Sequence, residues 1–417
     1  MGMHDKAYCA QCESVKVHCG DEVRKSRRAE TLFALGLGSF CIGTSEFASM
    51  GILQLFASGL GVSIPAATHA IAAYAFGVVI GAPVVTLAAA RLNRRTLLLC
   101  LLGMFILGNV LSSAATSLGM FALARFISGM PQGAYFGAGA VVASYIVGAG
   151  QGGKAFALVM TGLTIATIFG SPLATFLGQT LGWRNTYLAV AFLGVLAFAA
   201  LFAWVPRTDA LRGGPVIQEL SALRKPPVWS MMVVAALGVA SIFAVYTFIG
   251  PYVTDALSLD RKWIPVALGL FGLGMTAGNL IGGHLADAHA ARGLFVGFGC
   301  ALAVLAVLAL FGHDVFILMA GLFGVGMTMM IAIPTIQVRL TESAPEAPTL
   351  MGAMNLAALN VANALGAWAG GLTIAAGLGL FSTVWAGFAL TAFGLIAFSI
   401  TLRKAPGYSP AANETPS

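Results

Sequence analysis

The sequence is a succession of apolar runs, each about 20 residues or longer, separated by short polar tracts. An α-helix rises 1.5 Å per residue, so ~20 apolar residues cross the ~30 Å hydrocarbon core of a bilayer. Within that core each backbone N–H and C=O must be satisfied inside its own segment, which makes runs of this length helices. A transmembrane barrel would instead show alternating segments of ~10 residues, and these runs are continuous. Spans are expected near 31–56, 66–90, 96–115, 118–146, 155–181, 184–205, 229–252, 264–286, 293–311, 315–338, 350–375 and 380–402. The expected fold is therefore an all-α membrane protein with twelve crossings.

Composition excludes the other classes. Hydrophobic residues make up 59% of the 417 and charged residues 9%, against about 25% charged in a soluble domain. Such a chain cannot cover itself with a polar surface, so a soluble enzyme is excluded. The 52 glycines follow no three-residue period, and the apolar content is too high for disorder.

The net charge of +7 comes from 22 basic and 15 acidic residues. The basic residues sit in short tracts between apolar runs, so no nucleic-acid partner is expected. They set orientation instead. With a cytoplasmic amino terminus, 18 Lys and Arg fall inside and three outside (Arg184, Arg261, Lys262), with Arg125 within a span. Both termini are expected to be cytoplasmic. The longest interior connection, 206–228, holds Pro, Gly and charge, and divides a six-helix unit 31–205 from a second at 229–403. Tails 1–30 and 404–417 flank them, the first without expected structure.

Cys9, Cys12, His18 and Cys19 in that tail are soft ligands of the kind zinc takes, but the adjacent His and Cys suit one tetrahedral site poorly. No metal site is expected, and a start of translation at Val23 would remove the segment. No cleavage site is obvious before the first run, which should be retained as a span. No phosphate-binding GxxxxGK[ST] loop and no Ser/His/Asp constellation occurs, so neither a cofactor nor an enzymatic activity is expected.

Shifting the chain by 197 residues places Gly77 and Gly81 on Gly274 and Gly278, and Gly129-Met130 on Gly326-Met327. A duplicated six-helix unit explains this coincidence. The loop TLAAARLNRR at 86–95 and its repeat GHLADAHAAR at 283–292 resemble the signature G-x-L-A-D-R-x-G-R-R of the major facilitator superfamily. The first copy keeps Arg91, Arg94 and Arg95 but has Thr86 and Ala90 for the glycine and aspartate. The second keeps Gly283 and Asp287. LARFISGMPQG at 123–133 is similar to the fourth-helix motif of that family, and GLTIATIFGSPLATFLG at 162–178 to the fifth-helix motif of its antiporters. GTSEFASMGIL at 43–53 and YTFIGPYV at 246–253 resemble its drug, arabinose-type sugar and purine efflux permeases.

Glu46 and Arg125 are the formal charges that lie well inside apolar runs. A charge at the membrane centre costs at least ~2.5 kcal/mol, so an unused one should be rare. Counting along the helices puts both in the outer half, roughly 22 Å from the cytoplasmic end for Glu46 and roughly 10 Å from the outer end for Arg125. The resemblance implies that their helices line a central cavity, where the two are expected to pair directly, through water or through substrate. Glu46 would then exchange protons and Arg125 set its charge. The alternative is a fixed ion pair joining two helices. The resemblance also implies substrate contacts at Tyr246 and Gln132, where relatives often carry histidine. Asn355 and Asn363, about two turns apart, can bind substrate or bond between helices. Gly170 and Pro172 weaken the fifth span, as a packing kink or, as the resemblance implies, in the exchange of cavity access; it also implies conformational roles for Arg91, Arg94, Arg95, Gly283 and Asp287.

The expected function is proton-coupled export of a small molecule (a sugar, nucleobase, nucleoside or drug-like compound) by a monomer in a bacterial inner membrane. A facilitator or importer without obligatory proton exchange is the alternative.

Overall fold

The computed structural model describes residues 4–148 and 150–404, with side chains for most of 28–402, and among these residues the regular elements are helices alone. Ten of them are long and apolar enough to cross a membrane. α1 (His4–Gly51) supplies the first through 28–51. Its backbone is helical from His4, where a tail without structure is expected. No proline interrupts that segment and Gly20 is its one glycine before Arg28. The side chains of Cys9, Cys12, His18 and Cys19 lie outside the described residues, as does the stretch 405–417.

α2 (Ile64–Ala88), α3 (Arg94–Ala114), α4 (Leu118–Gly129) and α5 (Pro131–Val147) follow. α4 and α5 abut at Met130, which keeps helical angles (φ −51°, ψ −39°). The division falls at Pro131, which has no N–H to donate. α6 (Gly152–Ile165) runs through a π-helical turn at Ala166–Gly170 into α7 (Ser171–Leu181), and α8 (Trp183–Trp204) completes the first half of the chain. The wide turn falls where Gly170 and Pro172 are expected to weaken the helix.

The short helix α9 (Val216–Ala222) lies in the connection. After it come α10 (Pro226–Gly238), α11 (Ala240–Tyr246), α12 (Ile264–Phe311), α13 (Val315–Ser343), α14 (Pro348–Ala375) and α15 (Ser382–Lys404). α12 is 48 residues long and breaks its helical angles at His289 (φ −153°, ψ 75°).

The 197-residue repeat recurs in the packing. A Cβ on Gly77 would meet the Phe126 carbonyl oxygen at 2.3 Å, and one on Gly274 would meet that of Phe323 at 2.1 Å. Gly81 and Gly278 face Met130 O and Met327 O in the same way, at 2.3 and 2.0 Å. Gly129 and Gly326 approach Tyr74 O and Phe271 O at 2.3 and 2.4 Å. Every one of these partners is also related by the shift. Only a residue without a side chain lets two helix backbones come this close. A Cβ on Gly137 of α5 would lie 2.1 Å from Thr349 O in α14, and one on Gly153 of α6 would lie 2.6 Å from the Ala286 Cβ in α12.

Candidate functional site

A central cavity is lined by Glu46 and Phe47 of α1, Gln132 of α5, Met160 of α6, Tyr246 of α11 and Phe271 of α12, with Asn360 of α14. Its volume of about 40 Å³ has room for a few water molecules. Apart from Thr167, the rest of the wall is aliphatic, aromatic and methionine-rich.

Glu46 lies five residues from the end of α1, and Gln132 lies one residue after Pro131, at the start of α5. Gln132 Nε2 donates to Glu46 Oε2 at 2.9 Å. A carboxylate accepts, so this contact fixes which end of the amide is nitrogen and leaves Gln132 Oε1 without a partner. Asn360 is arranged likewise: Nδ2 donates to the Leu356 carbonyl at 3.1 Å, and Oδ1 is unpartnered. Acceptor groups from three helices, α1, α5 and α14, thus line one small space. A buried acceptor left alone costs about 1–3 kcal/mol.

Arg125 is 1% exposed. Its Nη1 donates to Ser45 Oγ and its Nη2 to the Ser45 carbonyl, each at 2.9 Å. The guanidinium sits 4.5 Å from the Tyr74 ring and 5.2 Å from the Tyr187 ring. Ser45 Oγ donates onward to Asn109 Oδ1 at 2.8 Å, and Asn109 Nδ2 to the Phe105 carbonyl at 2.8 Å. Arg125 and Glu46 both line a second, smaller cavity with Asn363 and Asn360. Among the described residues the two form no ion pair. Of the three routes expected for their pairing, the direct one is not formed: Ser45 takes the two terminal nitrogens of Arg125, and Gln132 takes one carboxylate oxygen of Glu46.

The other expected site residues fall in several places. Tyr246 lines the central cavity, its ring 6.0 Å from Phe47 and 5.2 Å from Phe271. Asn355 lies outside that lining, fully buried, with Nδ2 donating to Gln337 Oε1 at 3.1 Å. Asn360, five residues on, takes the cavity position; its signal was another buried-looking asparagine in the same span.

The segment after α2 and its repeat around the break in α12 use their charges differently. Asp287 accepts from the backbone N–H of Gly153 at 2.6 Å and of Lys154 at 2.9 Å, the first turn of α6. A Cβ on Gly283 would stand 2.7 Å from the Ala157 Cβ, so this glycine lets α12 approach α6. Arg94 is buried and pairs with Glu219 of α9 at 3.3 Å. Arg95 donates to the Phe202 carbonyl and lies 5.0 Å from that ring. Arg91 is exposed. Glu219 and Ser45 are functional candidates that the sequence did not single out, since neither a linker glutamate nor a serine in a span departs from the ordinary.

The family model for the Major Facilitator Superfamily matches residues 35–367. The chain belongs to that superfamily. It is 38% identical over 382 residues to the inner membrane transport protein YdhP of Escherichia coli (strain K12), covering 90% of this chain and 96% of that one. It is 33% identical over 369 residues to a chloramphenicol resistance protein of Streptomyces lividans, covering 88% and 94%. Among solved structures, the major facilitator proton:xylose symporter XylE superposes with a TM-score of 0.70 over 92% of this chain and 97% of that one, at 14% identity. As a superfamily member the chain is a multi-pass membrane transporter, and the cavity between α1, α5, α11, α12 and α14 is its candidate substrate site.

Proposed function

We propose that this transporter exports an apolar, partly aromatic small molecule with N–H or O–H donors, in exchange for protons, across a bacterial inner membrane. The observation that carries the reading is the Glu46 carboxylate, set deep in a membrane helix, lining a cavity and held by a neutral amide. A carboxylic acid so placed is inexpensive when neutral and costly when charged, so loss and gain of its proton can be tied to which side the cavity opens. Arg125, fixed on Ser45, supplies a nearby cation without neutralising the acid. Gln132, Tyr246 and Asn360 contact substrate, with Asn363 at the smaller cavity. Asn355 holds α14 to α13.

The lining favours a drug-like compound over a sugar. A sugar needs a hydrogen-bonding partner for each hydroxyl, and the wall offers few against many aromatic, aliphatic and thioether groups. The chloramphenicol resistance relative points the same way.

The architecture is read as twelve crossings. α4 with α5 makes one, and α12 makes two, divided at His289. Two six-helix halves, 31–205 and 229–403, are joined by 206–228, with both termini cytoplasmic and the protein a monomer. Arg91, Arg94, Arg95, Gly283 and Asp287 border the cytoplasmic mouth, and Gly170 and Pro172 give the fifth span its hinge. The cavity is too small for a drug-sized ligand, which needs some 300 Å³ or more, so the halves must part to load it.

The test is reconstitution of the purified protein into liposomes with an internal pH dye. Aromatic amphiphiles such as chloramphenicol should drive counter-movement of protons in the wild type. Glu46→Gln should still bind the same compounds but move no protons. Equal proton movement in the variant would overturn the coupling, and thermal stabilisation by sugars but not by aromatic amphiphiles would overturn the substrate class.

A further inference from the structure

The two related loops do not carry the same charge, yet the structure gives both helix ends a carboxylate. Asp287 accepts from the N–H of Gly153 at the start of α6. The 197-residue shift carries Asp287 onto Ala90 and Gly153 onto Leu350. Ala90 has only a methyl group, so the first loop cannot offer the start of α14 what the second offers α6. A helix start has unsatisfied N–H groups and a positive dipole end, and an anion there satisfies both.

Glu219 of α9 stands in that place. It is 1% exposed. Its Oε1 accepts from Arg94 Nη2 at 3.3 Å, and its carboxylate lies against the backbone N–H of Leu350, in the first turn of α14. Its Oε2 is buried and has no hydrogen-bond partner, so the carboxylate faces the Leu350 N–H without a formed bond. Arg94 is anchored from the other side, donating Nη1 to the Ala90 carbonyl at 3.2 Å. The linker can reach this spot because residue 213 is glycine: a Cβ there would sit 1.7 Å from Ala90 O. Its flanks are tied down by Asn93 Nδ2 donating to the Thr208 carbonyl at 2.8 Å and by Lys225 paired with Glu346 at 2.7 Å.

We infer that Glu219 replaces the missing acid of the first loop and latches the two halves together at their cytoplasmic end. One carboxylate joins Arg94 of the first half to α14 of the second, so parting the halves breaks both contacts at once. The linker is then a working part of the gate. This rests on the two-half, cytoplasmic-linker reading proposed above.

The experiment uses the full-length protein with its cysteines replaced by serine and Ser144→Cys added. Ser144 lines the cleft between the halves together with Asp287, Gln337 and Thr341. Labelling by an impermeant maleimide is followed in inside-out vesicles. Glu219→Ala should raise the rate by roughly tenfold, within the range of ordinary conformational coupling. Adding Ala90→Asp to that variant should bring the rate back, which a merely structural loss would not allow. Glu219→Ser, which cannot reach Arg94, is read the same way should the alanine variant fold poorly. An unchanged labelling rate in Glu219→Ala or Glu219→Ser overturns the inference, as does a rate that Ala90→Asp leaves raised. Proton movement is measured on the same preparations, so a failed latch with intact Glu46-dependent exchange leaves the transport reading standing.

Discussion

Arg125 donates both terminal nitrogens to Ser45, at 2.9 Å to its hydroxyl and 2.9 Å to its carbonyl, and so grips α1 one residue before Glu46. Successive residues of a helix point about 100° apart, and that single step turns an expected ion pair into a fixed cation beside a separately held acid. The acid can then change its charge without releasing the arginine, and the arginine can hold α1 to α4 through the whole transport cycle.

Arg125→Lys should therefore destabilise the protein by about 2 kcal/mol, because a lysine ammonium cannot match the planar fork or its stacking on Tyr74. Thermal unfolding in detergent measures this. A variant that melts with the wild type would show that the Ser45 contacts contribute little.

Gly137→Ala should block transport. The added methyl would lie 2.1 Å from the Thr349 carbonyl, a backbone atom that cannot rotate away. The halves would be held apart at this level, and uptake or efflux assays should show activity near background with normal insertion into the membrane. Wild-type rates would mean that α5 and α14 separate by more than this contact allows throughout the cycle.

Gly170→Ala should lower the transport rate less severely, and Thr44→Ala should restore it. The new methyl would stand 2.1 Å from Thr44 Oγ1, a side-chain atom with no hydrogen-bond partner to lose. If the double variant is as slow as the single one, the glycine matters for the π-turn itself and not for clearance against α1.

The Glu219 contact should respond to pH. Burial raises its carboxyl above the ordinary value of 4.5, against the lowering effects of Arg94 and the Leu350 N–H, and Glu346 adds to the rise. An acid whose pKa is higher in the closed arrangement than in the open one takes up a proton on closing. Closure is thus favoured at low pH and weakened as pH rises through the raised value. Labelling of Ser144→Cys should accelerate over that interval, starting above pH 4.5. In Glu219→Gln the acceleration should be lost. Glu346, held below its usual range by Lys225, titrates at lower pH and should not mask the effect.

Much of the fold was legible in the chain. The 197-residue glycine correspondence anticipated the close contacts that Gly77, Gly81 and Gly129 share with Gly274, Gly278 and Gly326, because a glycine conserved in both copies of a helix marks a place where backbones meet. Glu46, Gln132 and Tyr246 were found from their burial in apolar runs and their motifs, and they line one cavity. Asn360 was passed over for Asn355 and Asn363, since three asparagines in one span cannot be ranked without the helix rotation. Glu219 gave no signal, because a lone acid in a charged linker looks solvated until the linker is folded against Arg94.

What the sequence determined alone is the part governed by summed, local quantities: apolar length fixes which segments can sit in hydrocarbon, and repeated motifs fix the superfamily. Only the tertiary structure decided which neighbour each polar group meets. Hydrogen bonds act over a few tenths of an ångström and a limited range of angles, while a helix turns through about 100° at every residue. Ser45 beneath Arg125, and Glu219 where Ala90 has no acid, depend on that finer scale.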